Sequence, residues 1–312
     1  LILGIDTSNY TTSVALMALE GRLLKQVRKR LKVDLGERGL RQSEALFQHV
    51  QQLPALITEV AENRKDDLTK IIVSTKPRPQ EGSYMPVFKA GFGHAKVLAS
   101  VLNVPLIETS HQEGHLMAGL WSAKINLQEF LAVHLSGGTS ETLKVKKDDN
   151  TFDIKELGSS SDLHAGQFVD RVGVALGLPF PAGPQLEELA TKGKLGKVSI
   201  SSSVQGYQMS FSGPASAAMR LIKAGEDSAD IALAVQQCIA NSLEKSLKKA
   251  IAEERCTDIL IVGGVAANQY IRERLKKRLE HPAVGAKLYF ADPKWSSDNA
   301  VGVAALGVET NN

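Results

Sequence analysis

Aromatic residues are few in this chain: two tryptophans, five tyrosines and nine phenylalanines among 312 residues. A nucleic-acid surface built from stacked rings is therefore not expected. Cysteine is scarcer still. Cys238 and Cys256 stand apart and outside any Cys-x-x-Cys pattern. That argues against a disulfide framework and fits a reducing, cytoplasmic setting. No apolar run reaches the roughly 18 residues that a membrane span needs. The opening LILGI is too short for the core of a secretion signal, so no membrane partner is expected. A strong excess of one charge is also lacking: 37 Lys and Arg stand against 34 Asp and Glu, a net of +3. This balance permits an RNA partner without demanding one. Basic residues do gather at Arg22, Lys25, Arg28, Lys29, Arg30 and Lys32, and again at Arg272, Arg274, Lys276, Lys277 and Arg278. Each group reads first as a solvated face.

What is present suits two lobes. The chain is 43% hydrophobic and 23% charged, enough for substantial cores and too ordered a mixture for disorder. It opens as a strand over 1–6, a polar turn, a strand over 12–19, and a Gly21 turn into a basic extended segment. Hairpin-linked strands of this kind are not a parallel Rossmann start. Leu46, Val50, Leu53, Leu56, Ile57 and Val60 fall at helical spacing over 43–63, with Pro54 as the expected kink. A buried strand follows over 68–74. Three prolines and a glycine make 76–86 a loop, and 89–102 reads as a helix before a short strand at 105–107. Ser110 opens another helix, with Glu113 completing a capping box. Strand, small-residue turn and strand then recur over 130–136, Gly137-Gly138 and 141–146. Further on come a helix over 166–176, the loop PFPAGP, a long helix over 228–254, and a strand over 259–262 that runs into Gly263-Gly264. A helix over 268–278, a strand at 288–290 and a closing helix over 299–306 complete the chain.

A βββ-αβα unit is thus used twice, with the break near 105–130. The expectation is an α/β protein of the actin-like ATPase (sugar-kinase-like) fold: two ribonuclease-H-like lobes with a nucleotide cleft between them. The lobes are expected at 1–108 and 109–312, the second including the helix that carries His111 and His115. A closing helix over 298–310 is expected to pack back on the first lobe.

Three turns can serve a nucleotide. Asp6-Thr7-Ser8-Asn9 offers N–H groups and hydroxyls to a phosphate, and Asp6 can hold a cation through water. In Ser136-Gly137-Gly138-Thr139-Ser140, adjacent glycines let the backbone approach a phosphate closely. In Val262-Gly263-Gly264-Val265-Ala266-Ala267-Asn268 a strand ends and a helix begins, and Asn268 can reach a ribose or base. Each turn alone is equally an ordinary hairpin or connection. Asp170 can accept from ribose hydroxyls, or merely pair with Arg171. His111 and His115, one turn apart on a helix, share a face as metal ligation requires. A pair of surface histidines is the plain alternative. A third ligand has to come from far away, and Asp298 at a helix start is the candidate.

Taken in order, ILGIDTSN, HQEGH, LSGGT, GQFVDRVGVALGLPFPAGP, MSFSG, LIVGGVAAN and SSDNAVG resemble the tRNA threonylcarbamoyladenosine transferase family, long labelled M22 or O-sialoglycoprotein endopeptidases. The resemblance covers nearly the whole chain. It implies a metal triad of His111, His115 and Asp298 holding one divalent ion, iron or zinc. It implies an adenine nucleotide, ATP or threonylcarbamoyl-adenylate, held by Ser136, Gly137, Gly138, Thr139, Asp170, Gly183, Gly263, Gly264 and Asn268, with magnesium as a further cation. Asp6, Ser8 and Thr139 are expected at the reacting group. The implied reaction transfers threonylcarbamoyl to N6 of adenosine 37 in tRNAs reading ANN codons. Implied partners are tRNA, a paralogous actin-like subunit and a small ATPase, in a homo- or heterodimer.

The chain also departs from the family. Tyr10 and Thr11 stand where the opening turn usually has an acidic pair, and Thr139 replaces a histidine. Gln167 replaces a glutamate, Ala215 a lysine, and the loop KPRPQEGSYMP is longer and more basic than the usual glycine-rich turn. Losing two acids and a base from a cleft changes its proton chemistry. These features suggest a divergent bacterial paralogue. The runner-up reading is therefore a metal- and nucleotide-binding scaffold, regulator, or carbamoyl transferase for another acceptor. A metalloprotease is disfavoured because no glutamate directly follows the first histidine.

Overall fold

The computed structural model describes residues 1–308 except 9, 34–38, 63 and 150. Its first sheet is built from β1 (Ile2–Asp6), β2 (Thr11–Met17), β3 (Leu23–Arg30), β4 (Lys70–Lys76) and β5 (Leu106–Ser110), in the order β3-β2-β1-β4-β5. Helices α1 (Gln42–Ala61) and α2 (Phe88–Leu102) cover one face of it, and α3 (His111–Ala123) leads out of the lobe. The second sheet comprises β6 (Glu129–Leu135), β7 (Ser140–Asp148), β8 (Thr151–Ser159), β11 (Asp258–Val262) and β12 (Lys287–Phe290). Its order is β12-β11-β6-β7-β8. Read from the other edge, this is the topology of the first sheet. In each lobe two antiparallel pairings join the hairpin strands and two parallel pairings bring in the crossover strands. The duplicated unit read from the sequence is therefore present in the hydrogen-bond ladders.

Between β8 and β11 the second lobe carries an insertion: α4 (Ala165–Ala175), α5 (Gly183–Ala190), the hairpin β9 (Ser203–Gln205) and β10 (Gln208–Ser210), and α6 (Ser212–Lys223). The long α7 (Ser228–Glu254) follows, and α8 (Gln269–Leu279) packs against it. Two short helices, α9 (Pro293–Ser296) and α10 (Val301–Ala305), end the chain.

Several local expectations shift. The loop PFPAGP runs directly into α5, because Pro184 pre-sets the first helical turn. Pro54 lies inside α1 without interrupting it. The helix survives because its apolar stripe, Leu53, Leu56 and Val60, is buried in the core of the first lobe. Much of the α8 basic run is spoken for. Arg278 pairs with Glu244 at 2.9 Å, Arg274 binds the Asn241 carboxamide, and Arg272 donates to the carbonyls of Ala266 and Ala291. These side chains fasten α8 to α7 and the sheet.

Each lobe has its own core, and a third apolar layer lies between the sheets. That layer joins Ile2, Met17 and Ile72 of the first sheet and Phe130, Ala132 and Leu260 of the second to Leu116 and Leu120 of α3 and Val301 and Val303 of α10. Helix α10 touches β1, β2, β4 and α3. The middle layer is what places α3 and the segment before α10 side by side. No helix among the described residues is long and apolar enough to cross a membrane.

Candidate metal and nucleotide site

Helix α3 begins with a complete capping box: Ser110 accepts from the Glu113 N–H, and Glu113 accepts from the Ser110 N–H. This start fixes the first turn, so His111 and His115 stack on one face with ring centroids 4.4 Å apart. Asp298 arrives from the α9–α10 connection. Its Oδ1 lies 3.3 Å from His115 Nε2 and 3.5 Å from His111 Nε2, and the two Nε2 atoms are 3.1 Å apart. One donor atom from each residue falls within 4.8 Å of the others. Two imidazoles and a carboxylate so close suit a divalent ion of the iron or zinc kind.

Asp6 stands behind this cluster. It is wholly buried, and its oxygens accept from Ser8, from Ser74 and, at 3.3 Å, face His111 Nδ1. A carboxylate on the far nitrogen fixes the ring and leaves Nε2 directed at the cluster. Burial opposes a charge on His111, but Asp6 and Asp298 override it and hold its pKa at about 10. Asp298 would hold a cation directly, with Asp6 supporting it through His111. Burial and the neighbouring His111 charge push His115 down. Burial would raise Asp298, yet hydrogen bonds from His111 and His115 hold it below the usual carboxylate range.

The three small-residue turns stand at strand ends. Ser8 donates to Asp6, and Thr7 ties its turn to α2 by donating to the Val87 carbonyl and accepting from the Gly91 N–H. Asn9 lies outside the described residues. In the second turn Ser136 N–H donates to the Thr139 carbonyl at 2.8 Å, and Gly138 N–H donates to Ser136 Oγ at 3.2 Å. Gly137 and Gly138 are exposed and Thr139 is half-buried. In the third, Gly263 adopts φ +98°, where a side chain would collide with the Leu135 backbone, and Gly264 is exposed beside it.

Asn268 caps α8 by accepting from the Ile271 N–H at 2.9 Å, which leaves its amide NH2 for a ligand. Asp170, raised by burial, accepts from Ala182 N–H at 2.8 Å, so one of its oxygens orders the turn before Gly183. No ion pair joins it to Arg171 among the described residues.

Three features escaped the sequence reading. His134, in the middle of β6, is buried, and neither ring nitrogen has a partner. Its ring centroid lies 4.6 Å from that of His115. Only its position within an apolar strand could have signalled it. Second, Arg78 of the basic loop pairs with the buried Glu141 of β7, which also accepts from Gln112 of α3 at 2.7 Å. Third, Asp162 accepts from the Phe211 N–H and the Ser210 and Ser212 hydroxyls, pinning the MSFSG stretch.

Two duplicated lobes with small-residue turns at their strand ends and a His-His-Asp cluster on the helix that links them define a class: an α/β protein of the actin-like fold. Solved structures of that fold agree. The activator of 2-hydroxyisocaproyl-CoA dehydratase from Clostridium difficile, with bound ADPNP, superposes with TM-score 0.57 at 15% identity, covering 98% of this chain and 93% of that one. A glucokinase of the ROK family from Streptomyces griseus, in complex with glucose and AMPPNP, gives 0.56 at 12% identity and 98% coverage of both.

The chain belongs to the tRNA N6-adenosine threonylcarbamoyltransferase family, whose sequence profile matches residues 29–305. The transferase of Methanopyrus kandleri is 28% identical over 98% of this chain and 86% of its own length. A probable bifunctional tRNA threonylcarbamoyladenosine biosynthesis protein of Methanobrevibacter smithii is 30% identical over 99% of this chain, which spans 55% of that longer protein.

Proposed function

We propose that this protein transfers the threonylcarbamoyl group of threonylcarbamoyl-adenylate to N6 of adenosine 37 in tRNAs that read ANN codons, acting in the cytoplasm. The observation that supports the reading is the convergence of His111, His115 and Asp298, from two distant segments, with Asp6 of the first turn facing His111 and Ser296, two residues before Asp298, donating to the Gly263 carbonyl of the third. An ion held by the triad would supply Lewis-acid polarisation and a template for the threonylcarbamoyl end; iron and zinc both suit the donors. Asp6 and Ser8 act on that end as positioning residues, since Ser8 donates to Asp6 and Asp6 faces His111 Nδ1. Thr139 is the half-buried hydroxyl that a substrate can reach. Ser136, Gly137, Gly138, Gly263 and Gly264 flank the phosphates, with magnesium alongside, while Asp170, Gly183 and Asn268 face the nucleoside.

A paralogous actin-like subunit would dock on α1 and α2. Helices α1 and α2 pack together and expose Phe47, Val50, Val97 and Val101, apolar side chains that a partner would cover. The relative named as a probable bifunctional protein is consistent with a chain that works beside another activity. A small ATPase would complete the assembly.

The test is complementation of a cell depleted of its own transferase, with the modified nucleoside measured in bulk tRNA by mass spectrometry. Wild-type protein should restore it, and the His111→Ala, His115→Ala double variant should not. Full restoration by the double variant, or none by folded, metal-loaded wild type supplied with its partners, would overturn the proposal.

A further inference from the structure

The loop over 76–86 leaves the first sheet after β4 and reaches the second. The Gln112 N–H donates to the Pro77 carbonyl at 3.0 Å, and the Arg78 N–H donates to the Ser83 hydroxyl at 3.0 Å. These bonds fix Arg78 at the first turn of α3. From there its guanidinium crosses to Glu141 of β7, a fully buried carboxylate that also accepts from the Gln112 side chain at 2.7 Å. Glu141 follows directly on the turn at 136–140, and the Ser140 hydroxyl accepts from the Ala165 N–H at the start of α4. Burial and the Arg78 charge together lower the pKa of His164, which opens α4. Arg78 thus joins the lobes where the second turn meets the helix of His111. Stability does not call for a charge here, since a buried ion pair is often matched by apolar residues of similar volume. Nor is the guanidinium used up. Only Nη2 bonds Glu141, Nε and Nη1 make no hydrogen bond among the described residues, and the side chain is 37% exposed. Because Nη2 carries two N–H groups, one complete fork remains, formed by its second N–H and that of a neighbouring nitrogen.

We propose that Arg78 reads the α-carboxylate of the threonylcarbamoyl group. This rests on the transferase reading of the site. The group ends in a free carboxylate, a planar anion that a guanidinium fork matches with two parallel N–H···O bonds. A plain carbamoyl group, or an amino-acid amide, offers no such anion. Arg78 therefore selects a carbamoyl group derived from an amino acid. Glu141 is a positioning residue: it holds the guanidinium by one nitrogen and turns the free fork to the ligand.

Calorimetric titration of the cobalt-loaded protein tests this with three probes: a stable sulfamoyl analogue of threonylcarbamoyl-adenylate as its free acid, the same compound as its primary amide, and AMP. Wild type should bind the acid on the order of 10- to 100-fold more tightly than the amide. The Arg78→Gln, Glu141→Gln double variant, which leaves no buried charge unpaired, should bind the two alike and hold AMP as wild type does. Arg78→Lys keeps a charge for Glu141 but has no fork, and should lose most of the preference; it serves equally if the double variant does not fold. Retention of the full preference in either variant overturns the role of Arg78 and leaves the transferase reading standing. A fall in AMP affinity with the preference intact also overturns it, and assigns the guanidinium to the phosphate. Wild type that binds AMP but neither analogue more tightly overturns the transferase reading and this inference together.

Discussion

Gly302 packs its Cα against the main chain of Gly114 where α10 crosses α3. A Cβ at Gly302 would strike the Gly114 carbonyl and come within 2.6 Å of the Ala118 amide. This crossing lies four residues after Asp298 and between His111 and His115 along α3, so it sets the distance between the carboxylate and the imidazoles. Gly302→Ala should cost about 3 kcal/mol, the upper end of ordinary overpacking, because backbone rather than a flexible side chain must give way. Both the unfolding midpoint and metal affinity should fall. A variant with unchanged midpoint and affinity would show that the crossing has slack.

Metal should stabilise the folded chain by mass action. At a free concentration 100 times its dissociation constant, an ion that binds only the folded state adds about 2.7 kcal/mol. Ferrous iron or zinc should therefore raise the melting temperature of wild-type protein, and chelation should reverse the rise. His115→Ala and Asp298→Asn should sharply reduce the response, because each removes one donor of the triad. An equal shift in these variants would place the ion elsewhere.

How much of this was legible in the sequence depends on whether the signal was local. The i, i+4 histidines and the Ser110 capping box are helical periodicities and could be read directly. The two lobes were legible because strand, small-residue turn and strand recur. The α5 and α6 insertion was not, since its Gly- and Pro-containing starts look like loop. Asp298 entered as a candidate only because a third ligand had to come from somewhere, and the family resemblance then supplied the pairing. His134 and the Arg78–Glu141 pair were invisible for a different reason. Each is defined by contacts between separate elements of the fold, and a histidine in a buried strand or an arginine between prolines carries no periodic signature. The departures at Tyr10, Thr11, Thr139, Gln167 and Ala215 leave the His-His-Asp cluster intact.

Glu141 should impose a pH dependence on stability. Burial pushes its carboxyl up from 4.5 to about 7, with Arg78 opposing the rise and Glu156 adding to it. Between those values the folded protein holds a proton that the unfolded chain has lost. Stability therefore falls as pH rises from about 4.5 to about 7, and the deficit is complete above 7. Glu141→Gln removes the titration and can keep a polar partner for Gln112. Relative to wild type it should gain on the order of 1–3 kcal/mol between pH 5 and pH 8. Urea unfolding of both proteins at the two pH values measures this. Parallel changes in the two would mean that the carboxyl is already ionised at pH 5.

Gly166 gives the most direct test of the turn at 136–139. The first turn of α4 abuts it: Gly166 N–H donates to the Ser136 carbonyl at 3.2 Å. A Cβ at this position would lie 2.7 Å from that carbonyl oxygen and 2.8 Å from both the Gly137 nitrogen and Cα. All three contacts are backbone, so Gly166→Ala has to push the turn away from α4 or tilt the helix. Alanine suits a helix better than glycine by about 1 kcal/mol, which offsets part of the collision and should leave the variant folded. Its effect should therefore fall on the ligand. Displacing N–H groups aimed at a phosphate by even a few tenths of an ångström weakens charge-assisted hydrogen bonds worth about 1.5–3 kcal/mol each. Calorimetric titration with ATP should show affinity falling by about tenfold, equivalent to about 1.4 kcal/mol, while cobalt binding at the triad stays unchanged. Loss of cobalt binding with ATP affinity preserved would mean that the turn serves the metal helix instead of the nucleotide.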